Sequence, residues 1–310
     1  MNSIKNPFKT PQGTFNLTRY PQHKKETLRA WDAADEYLLQ YLDAQDKSRI
    51  LIVNDSFGAL AIALHAFKPD VQLDSYLAEQ GLINNFYLNK IDINNITLLN
   101  SMESLNGIYD FIIIKVPKSH AYLEDFLYKI QPHINPQSKI IAAAMSKNIH
   151  SSTLKFFEKI IGETSTSLAR KKARLIFSSF TNNKITDSPY PKNFELAIED
   201  NILSITNHAN VFSREKLDIG TRFLLENMPQ PKPGKTIIDL GCGNGIAGLV
   251  AAQQNLDAHI IFTDESYMAI ASAKINFKNA FGASRPAEFL VTDCLANVEK
   301  QSADLILCNP

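Results

Sequence analysis

The strongest chemical signal in the 310-residue chain is the string Ile238-Asp239-Leu240-Gly241-Cys242-Gly243-Asn244-Gly245, set between a short apolar run and a longer one. In an open α/β sheet, ligands bind beyond the carboxyl ends of the strands, where the first βα turn meets the reversal of strand order. Glycines there let the backbone pass close beneath a ligand and adopt positive φ. An acid just ahead of them, Asp239, can receive the amino group of a bound methionine moiety, for which a phosphate-binding loop has no use. Gly243 to Gly248 also satisfies G-x-G-x-x-G, a weak pattern by itself. Asp264, 19 residues past Gly245, would serve a ribose in either case. Three features favour the first reading: Asp239 precedes the glycines, a second acid (Asp293) closes a later strand, and another strand ends in Asn309-Pro310. Turn or helix capping is the alternative role for Asp239 and Asp293.

The hydrophobic pattern supplies elements to position these groups. Strand-sized apolar runs occur at 49–53, 71–74, 96–99, 109–116 and 139–145, and again at 236–239, 260–263, 289–292 and 304–308. Helical spacing falls between them, over about 27–43 (Leu28, Trp31, Ala34, Leu38, Leu42), 59–66, 75–84, 151–161, 217–225, 246–254 and 266–277. Strands apolar on both faces, alternating with helices, indicate α/β architecture with a covered parallel sheet. The halves repeat. Ile50 to Gly58 followed by Asp74-Ser75 matches Ile237 to Gly245 followed by Asp264-Glu265-Ser266, and Asp110 to Lys115 matches Asp304 to Asn309. The first copy has one glycine in its turn where the second has three, and Lys115 in place of Asn309, so it is expected not to bind the same ligand. Chance likeness between βα units is the competing explanation. A polar, Pro-containing stretch from Thr181 to Pro191 reads as a linker. The expected boundaries are 1–185 for the first domain, 186–210 for linker and lead-in, and 211–310 for the second domain.

With 32 basic and 32 acidic residues the net charge is zero, so attraction to nucleic acid must come from local patches. Lys5, Lys9, Arg19, Lys24, Lys25 and Arg29 oppose only Glu26 in the first 30 residues, of which the first 25 or so are expected to form an extended arm. Arg170, Lys171, Lys172 and Arg174 form a second cluster. Either could neutralise phosphates; a solvated face and a loose tail are the plainer alternative. Three cysteines (Cys242, Cys294, Cys308), without a CxxC pair or nearby histidines, argue against a disulfide scaffold and against zinc. The N-terminal stretch lacks a signal-peptide pattern, and no apolar run approaches the roughly 20 residues that cross a bilayer. A cytoplasmic protein with no membrane partner and no metal is expected.

The D-x-G-C-G-x-G string, the acids after the second and third strands, and a strand ending D-x-I-x-x-N-P together resemble class I methyltransferases acting on exocyclic or amide nitrogens. Their full fourth motif is N-P-P-[FY]. More narrowly, Asn210 to Leu225 and Asp264-Glu265-Ser266-Tyr267-Met268-Ala269 resemble the bacterial enzymes that methylate guanine N2 in ribosomal RNA, the large-subunit branch more than the small-subunit one. The likeness covers the whole chain, with its specific motifs in 210–310. It implies two tandem Rossmann-like domains of the class I methyltransferase type, the second incomplete at its C-terminus. S-adenosyl-L-methionine is the implied cofactor and ribosomal RNA the implied partner. The first domain is then a degenerate copy, structural or RNA-contacting, with Arg170, Lys171, Lys172 and Arg174 as candidate RNA contacts.

The resemblance also implies roles. Asp239, Gly241, Gly243 and Gly245 would line the methionine and ribose side of the cofactor, Asp264 would bind the ribose hydroxyls, and Asp293 the adenine amine. Phe212, Ser213, Leu217 and Asp218 would lie over the cofactor. Asn309 and Pro310 would be catalytic, their side-chain and main-chain oxygens accepting the hydrogens of a guanine amine whose lone pair is otherwise delocalised. The protein's share is then orientation and hydrogen bonding that strengthens toward the transition state. The sequence stops before the second Pro and the aromatic that would stack on the target base. A truncated chain with no turnover is therefore expected. The alternatives are a small-subunit enzyme, an amino-methyltransferase for DNA adenine or protein glutamine, and an RNA-binding module without activity.

Overall fold

The computed structural model describes residues 7–44, 47–181, 186–198, 201–229 and 235–309. It divides into two compact units, one up to Ser188 and one from Pro189.

The first unit runs β1 (Phe8–Thr10), β2 (Gly13–Phe15), α1 (Ala33–Tyr41), β3 (Ile50–Val53), α2 (Ala59–Ala63), β4 (Asp70–Leu73), α3 (Tyr76–Leu88), β5 (Thr97–Asn100), β6 (Phe111–Lys115), α4 (His120–Ile130), β7 (Lys139–Met145), α5 (Ser151–Ile160), β8 (Thr164–Thr166) and β9 (Ala173–Ser179). Seven strands form one sheet in the order β5-β4-β3-β6-β7-β9-β8. The first five are parallel, and β9 pairs antiparallel with both β7 and β8. Strand periodicity divides the core in two: Ile50, Ile52, Phe111 and Ile113 enter one cluster, while Leu51, Val53, Ile112 and Ile114 enter another. That is why these strands read as unbroken apolar runs.

Several elements depart from expectation. The stretch taken as an extended arm contains the β1–β2 hairpin, with Phe8 and Phe15 buried. Asn85 on α3 and Asn89 just beyond its end hold the following segment by hydrogen bonds to the backbone of Thr18 and Asn16. Lys5 lies outside the described residues. The helix expected from about Thr27 starts at Ala33, because Asp32 caps it. Its carboxylate accepts from Ala34 N, and Asp35 reciprocates by accepting from Asp32 N, both at 2.8 Å. Leu28, counted in the helical pattern, is exposed. Helix α4 and strands β8 and β9 were not anticipated. The Arg170 cluster spans the turn before β9 and the start of the strand, where Arg174 faces out and Ala173 and Leu175 face in.

The second unit runs β10 (Lys192–Ile198), β11 (Asn201–Asn207), α6 (Ile219–Glu226), β12 (Thr236–Leu240), α7 (Ile246–Gln254), β13 (His259–Asp264), α8 (Tyr267–Phe281), β14 (Glu288–Val291) and β15 (Leu305–Cys308). Its parallel sheet has the order β14-β13-β12-β15. Strand order reverses at the β12/β15 boundary, as it does at β3/β6 in the first unit. Residues 186–210, expected as linker and lead-in, contain the antiparallel β10–β11 hairpin, and its Leu196 and Ile205 belong to this unit's core. The polar residues alternating with these apolar ones hid the strands.

Pairing register makes the internal repeat explicit. Ile50 pairs with Phe111 and Ile237 with Leu305. Gly58 and Gly245, each eight residues later, both sit in the left-handed region at the start of a helix. By that register, and by Leu73↔Asn100 against Asp264↔Val291, the first unit carries Ile52, Leu73, Met102 and Lys115 where the second carries Asp239, Asp264, Asp293 and Asn309. The match of Lys115 to Asn309 is the one expected. Asp74 corresponds to Glu265 rather than to Asp264.

Candidate active site

The glycine turn leaves β12 and is fastened on three sides. Gly241 N and Cys242 N both donate to Thr263 O, at 2.9 and 3.0 Å, and Gly243 N donates to Asp264 Oδ2 at 2.9 Å. Asn244 Nδ2 donates to Asn207 Oδ1 at 2.8 Å, while Asn276 Nδ2 reaches the carbonyls of Asn244 and Thr206. His208 N donates to Ser272 Oγ at 3.0 Å. Sequence reasoning missed this polar frame of Asn207, His208, Ser272 and Asn276. Their burial, which reveals their importance, is not visible in a chain where Asn is common.

The glycines do different jobs. Gly241 and Gly243 have φ of +67° and +55°, and a Cβ at either would meet nothing within 4 Å. Their backbone therefore lies beneath open space, a cradle that side chains would fill. At Gly248, by contrast, a Cβ would run into the Phe262 ring and Asp239. That glycine is required for packing.

Two carboxylates border the cradle. Asp239 is buried, and its Oδ2 accepts from Gly248 N at 2.7 Å, while its other oxygen carries no hydrogen bond among the described residues. Burial pushes its carboxyl up to about 7 against the Gly248 hydrogen bond, with the nearby charge of Asp264 adding to the rise. A buried carboxylate with a free oxygen suits a cationic partner. Asp264 accepts from Gly243 N and from Ser266 N, the latter at 2.9 Å, and so ties the end of β13 to the turn and to the start of α8. Asp293 lies just past β14 on the same carboxyl-terminal edge, and its carbonyl accepts from Ala296 N. Burial, then the charges of Asp239 and Asp264, raises the Cys242 thiol, which stays protonated and is no nucleophile.

Asn309 follows β15, across the strand-order reversal from the glycine turn. Its Nδ2 donates to Thr221 Oγ1 at 3.0 Å and to Asp218 Oδ2 at 3.3 Å. Asp218 also caps α6 by accepting from Thr221 N at 3.1 Å, and that bond is the first cause holding its carboxyl below the usual range. Pro310 lies outside the described residues. Of the lead-in residues expected over the cofactor, Phe212 is largely exposed, Ser213 donates to Lys216 O, and Leu217 packs on the core.

The corresponding ground in the first unit is a cavity bordered by Asp32, Asp35, Asp55, Phe57 and Lys115, whose charged groups are already engaged with one another or with the backbone. Asp55 takes the first amides of α2, accepting from Ala59, Leu60 and Ala61 N at 2.9–3.0 Å. Lys115 binds Asp35 at 2.6 Å and Asp32 at 2.9 Å. Neutral residues, Ile52 and Leu73, stand at the positions of Asp239 and Asp264.

Comparison with known proteins matches a different family to each part of the chain. Residues 5–182 match the RLMG N-terminal domain family, and residues 202–310 match the methyltransferase small domain family. Ribosomal RNA large subunit methyltransferase G of Streptomyces griseus is 45% identical over 315 residues, covering 98% of this chain and 82% of the relative. Its counterpart in Yersinia pestis is 45% identical over 305 residues, covering 96% of this chain and 75% of the relative. Among solved structures, a T. thermophilus 16S rRNA N2 methyltransferase (RsmC), in complex with AdoMet and guanosine, superposes with TM-score 0.74 at 16% identity. That match covers 95% of this chain and 76% of the other, and it establishes the fold alone. With a fastened glycine cradle, two flanking acids and relatives of this identity and coverage, the chain belongs to the ribosomal RNA large subunit methyltransferase G family.

Proposed function

We propose that this chain, against the expectation of no turnover, transfers a methyl group from S-adenosylmethionine to the exocyclic N2 of a guanine in large-subunit ribosomal RNA. The observation that carries the reading is the pairing, across the β12/β15 reversal, of a glycine cradle lined by acids with an asparagine whose amide oxygen is unengaged among the described residues. The large-subunit assignment draws on the names of the 45%-identical relatives.

The residues present fit the cofactor. Open space over Gly241 and Gly243 admits a ligand lying against the backbone, and the free oxygen of Asp239 would accept from its ammonium group. Asp264 would receive ribose hydroxyls and Asp293 the adenine amine. When bound, the sulfonium supplies both an activated methyl and a good leaving group. The chain's own task is then to prepare the nucleophile. Asn309 Oδ1, joined by the Pro310 carbonyl, accepts the N–H groups of the guanine amine and favours a pyramidal nitrogen with its lone pair exposed. The gain lies in hydrogen bonds that strengthen as the amine gains positive charge.

The first unit is assigned to structural support and RNA contact. Arg170, Lys171 and Lys172 are exposed on its β8–β9 turn and Arg174 on β9 itself, although Lys171 also pairs with Glu36 at 2.7 Å. The reading implies a cytoplasmic enzyme. Among the described residues no helix is long and apolar enough to cross a membrane.

The test is made on ribosomal RNA from cells in which the gene for this chain has been deleted. Nucleoside mass spectrometry is expected to find one N2-methylguanine missing from the large-subunit RNA and restored by complementation. A full complement of large-subunit N2-methylguanine, or a loss confined to the small subunit, refutes the proposal.

A further inference from the structure

Asn309 serves the proposed reaction only if its carboxamide presents oxygen, not nitrogen, to the substrate. A terminal NH2 turned toward an amine would donate to the lone pair that must attack. The two faces of a carboxamide are nearly alike in shape, so packing alone does not choose between them.

We propose that Asp218 and Thr221, at the start of α6, are positioning residues that lock this choice; the inference rests on the reading of Asn309 as acceptor for the amine. Asn309 Nδ2 has two hydrogens and two acceptors, Thr221 Oγ1 at 3.0 Å and Asp218 Oδ2 at 3.3 Å. With both hydrogens spent, Oδ1 is the remaining hydrogen-bonding atom, and it can only accept. The carboxylate cannot donate, so a flipped amide would set Oδ1 against the negative charge of Asp218 and repel it. The charge is secure at neutral pH, because the amide of Thr221, then Asn309 and its neighbours, hold the carboxyl below its ordinary range.

Gly220 completes the device. A Cβ there would come within 2.7 Å of Asn309 Oδ1 and 3.0 Å of Asp218 Oδ2. The missing side chain thus lets the turn from Asp218 to Thr221 approach the amide closely. Asp-x-Gly-Thr opening a helix accordingly does two things with one set of atoms: it caps α6 and it sets the orientation of a side chain that lies 88 residues beyond Thr221.

The test separates the two jobs. Thr221→Val removes the hydroxyl but keeps the backbone amide that satisfies the cap, and Thr221→Ser restores the hydroxyl. Asp218→Ser keeps a capping oxygen on a shorter side chain that does not reach Asn309. In methyl transfer to protein-free large-subunit RNA, Thr221→Val and Asp218→Ser are expected to lower kcat by about 10–100-fold, as a misplaced reacting group does. The RNA KM and the melting temperature should stay near wild type in both variants, as should the S-adenosylmethionine Kd of Thr221→Val, and Thr221→Ser should recover the rate. Equal kcat in Thr221→Val and wild type, or loss of stability and affinity in proportion to kcat, overturns the proposal. The side-chain amide of Asn309, observed by NMR in 15N-asparagine-labelled protein, gives a reading independent of turnover. Its protons should exchange markedly more slowly than those of a free carboxamide, and Thr221→Val should abolish the difference. Free-amide exchange in the wild type overturns the clamp outright. Full kcat in Asn309→Ala, or a wild type that binds S-adenosylmethionine without transferring methyl, would instead refute the functional reading and leave the NMR result to decide the clamp.

Discussion

Replacing Asp239 by Asn should make the second unit more stable at neutral pH while removing its ligand. Burial, reinforced by Asp264 and opposed by the Gly248 amide, places the Asp239 carboxyl at about 7. In the unfolded chain it titrates near 3.9. The folded state therefore holds this proton more tightly. Its stabilising contribution is complete below about pH 4 and is lost as pH rises to 7. A gap of about three pH units corresponds to about 4 kcal/mol as an upper bound, at 1.36 kcal/mol per unit. Asn keeps an oxygen for Gly248 N–H and has no proton to lose. Hydrogen exchange of the α7 amides, compared between wild type and Asp239→Asn at matched pH from 5 to 8.5, reads the difference locally. The variant's advantage should grow between pH 5 and 7 and level off above 7.5, and its affinity for S-adenosylmethionine should fall at least tenfold. An advantage that does not change with pH, or a variant less protected than wild type at pH 8, would refute the argument.

Three further outcomes follow from the same geometry, and a fourth from the basic cluster. Gly243→Ala should lower stability by only about 1–2 kcal/mol, the strain of a left-handed alanine, yet abolish cofactor binding, because its methyl enters the cradle. Gly248→Ala should do the reverse in kind, unfolding the second unit by forcing Phe262 aside; thermal melts beside titrations distinguish the two. Lys115→Met should destabilise the first unit by about 2–3 kcal/mol at neutral pH, somewhat less than for a fully buried pair because Asp32 is half exposed, with no change in cofactor affinity. Replacing Arg170, Lys171, Lys172 and Arg174 by Gln should flatten the salt dependence of RNA binding by about 0.7–0.9 for each phosphate no longer neutralised; an unchanged slope removes the cluster from the interface.

The parts of the site legible in the sequence were those whose chemistry is local. Asp239, the glycines and Asp264 sit at fixed offsets from buried strands, and β12 and β13 announce themselves as apolar runs ending at acids. The repeat was legible for the same reason, and register then sharpened it: Ile52 and Leu73 stand where the second unit has its acids. What escaped depends on distant partners. The β10–β11 hairpin read as linker because Asn and Glu alternate with its buried residues. The Arg170 cluster read as a charge run because Ala173 and Leu175 were too few to declare a strand. The α1 boundary was set by the reciprocal Asp32–Asp35 cap rather than by apolar spacing. Asp218 was singled out, but its bond to Asn309 spans 91 residues and needed the fold to appear.

The central claim is that one unit of this chain binds S-adenosylmethionine and its sister copy does not. Calorimetric titration of the purified chain should give one site per chain, lost in Asp264→Ala and retained in Asp55→Asn. Two sites, no site, or a site indifferent to Asp264→Ala would contradict it.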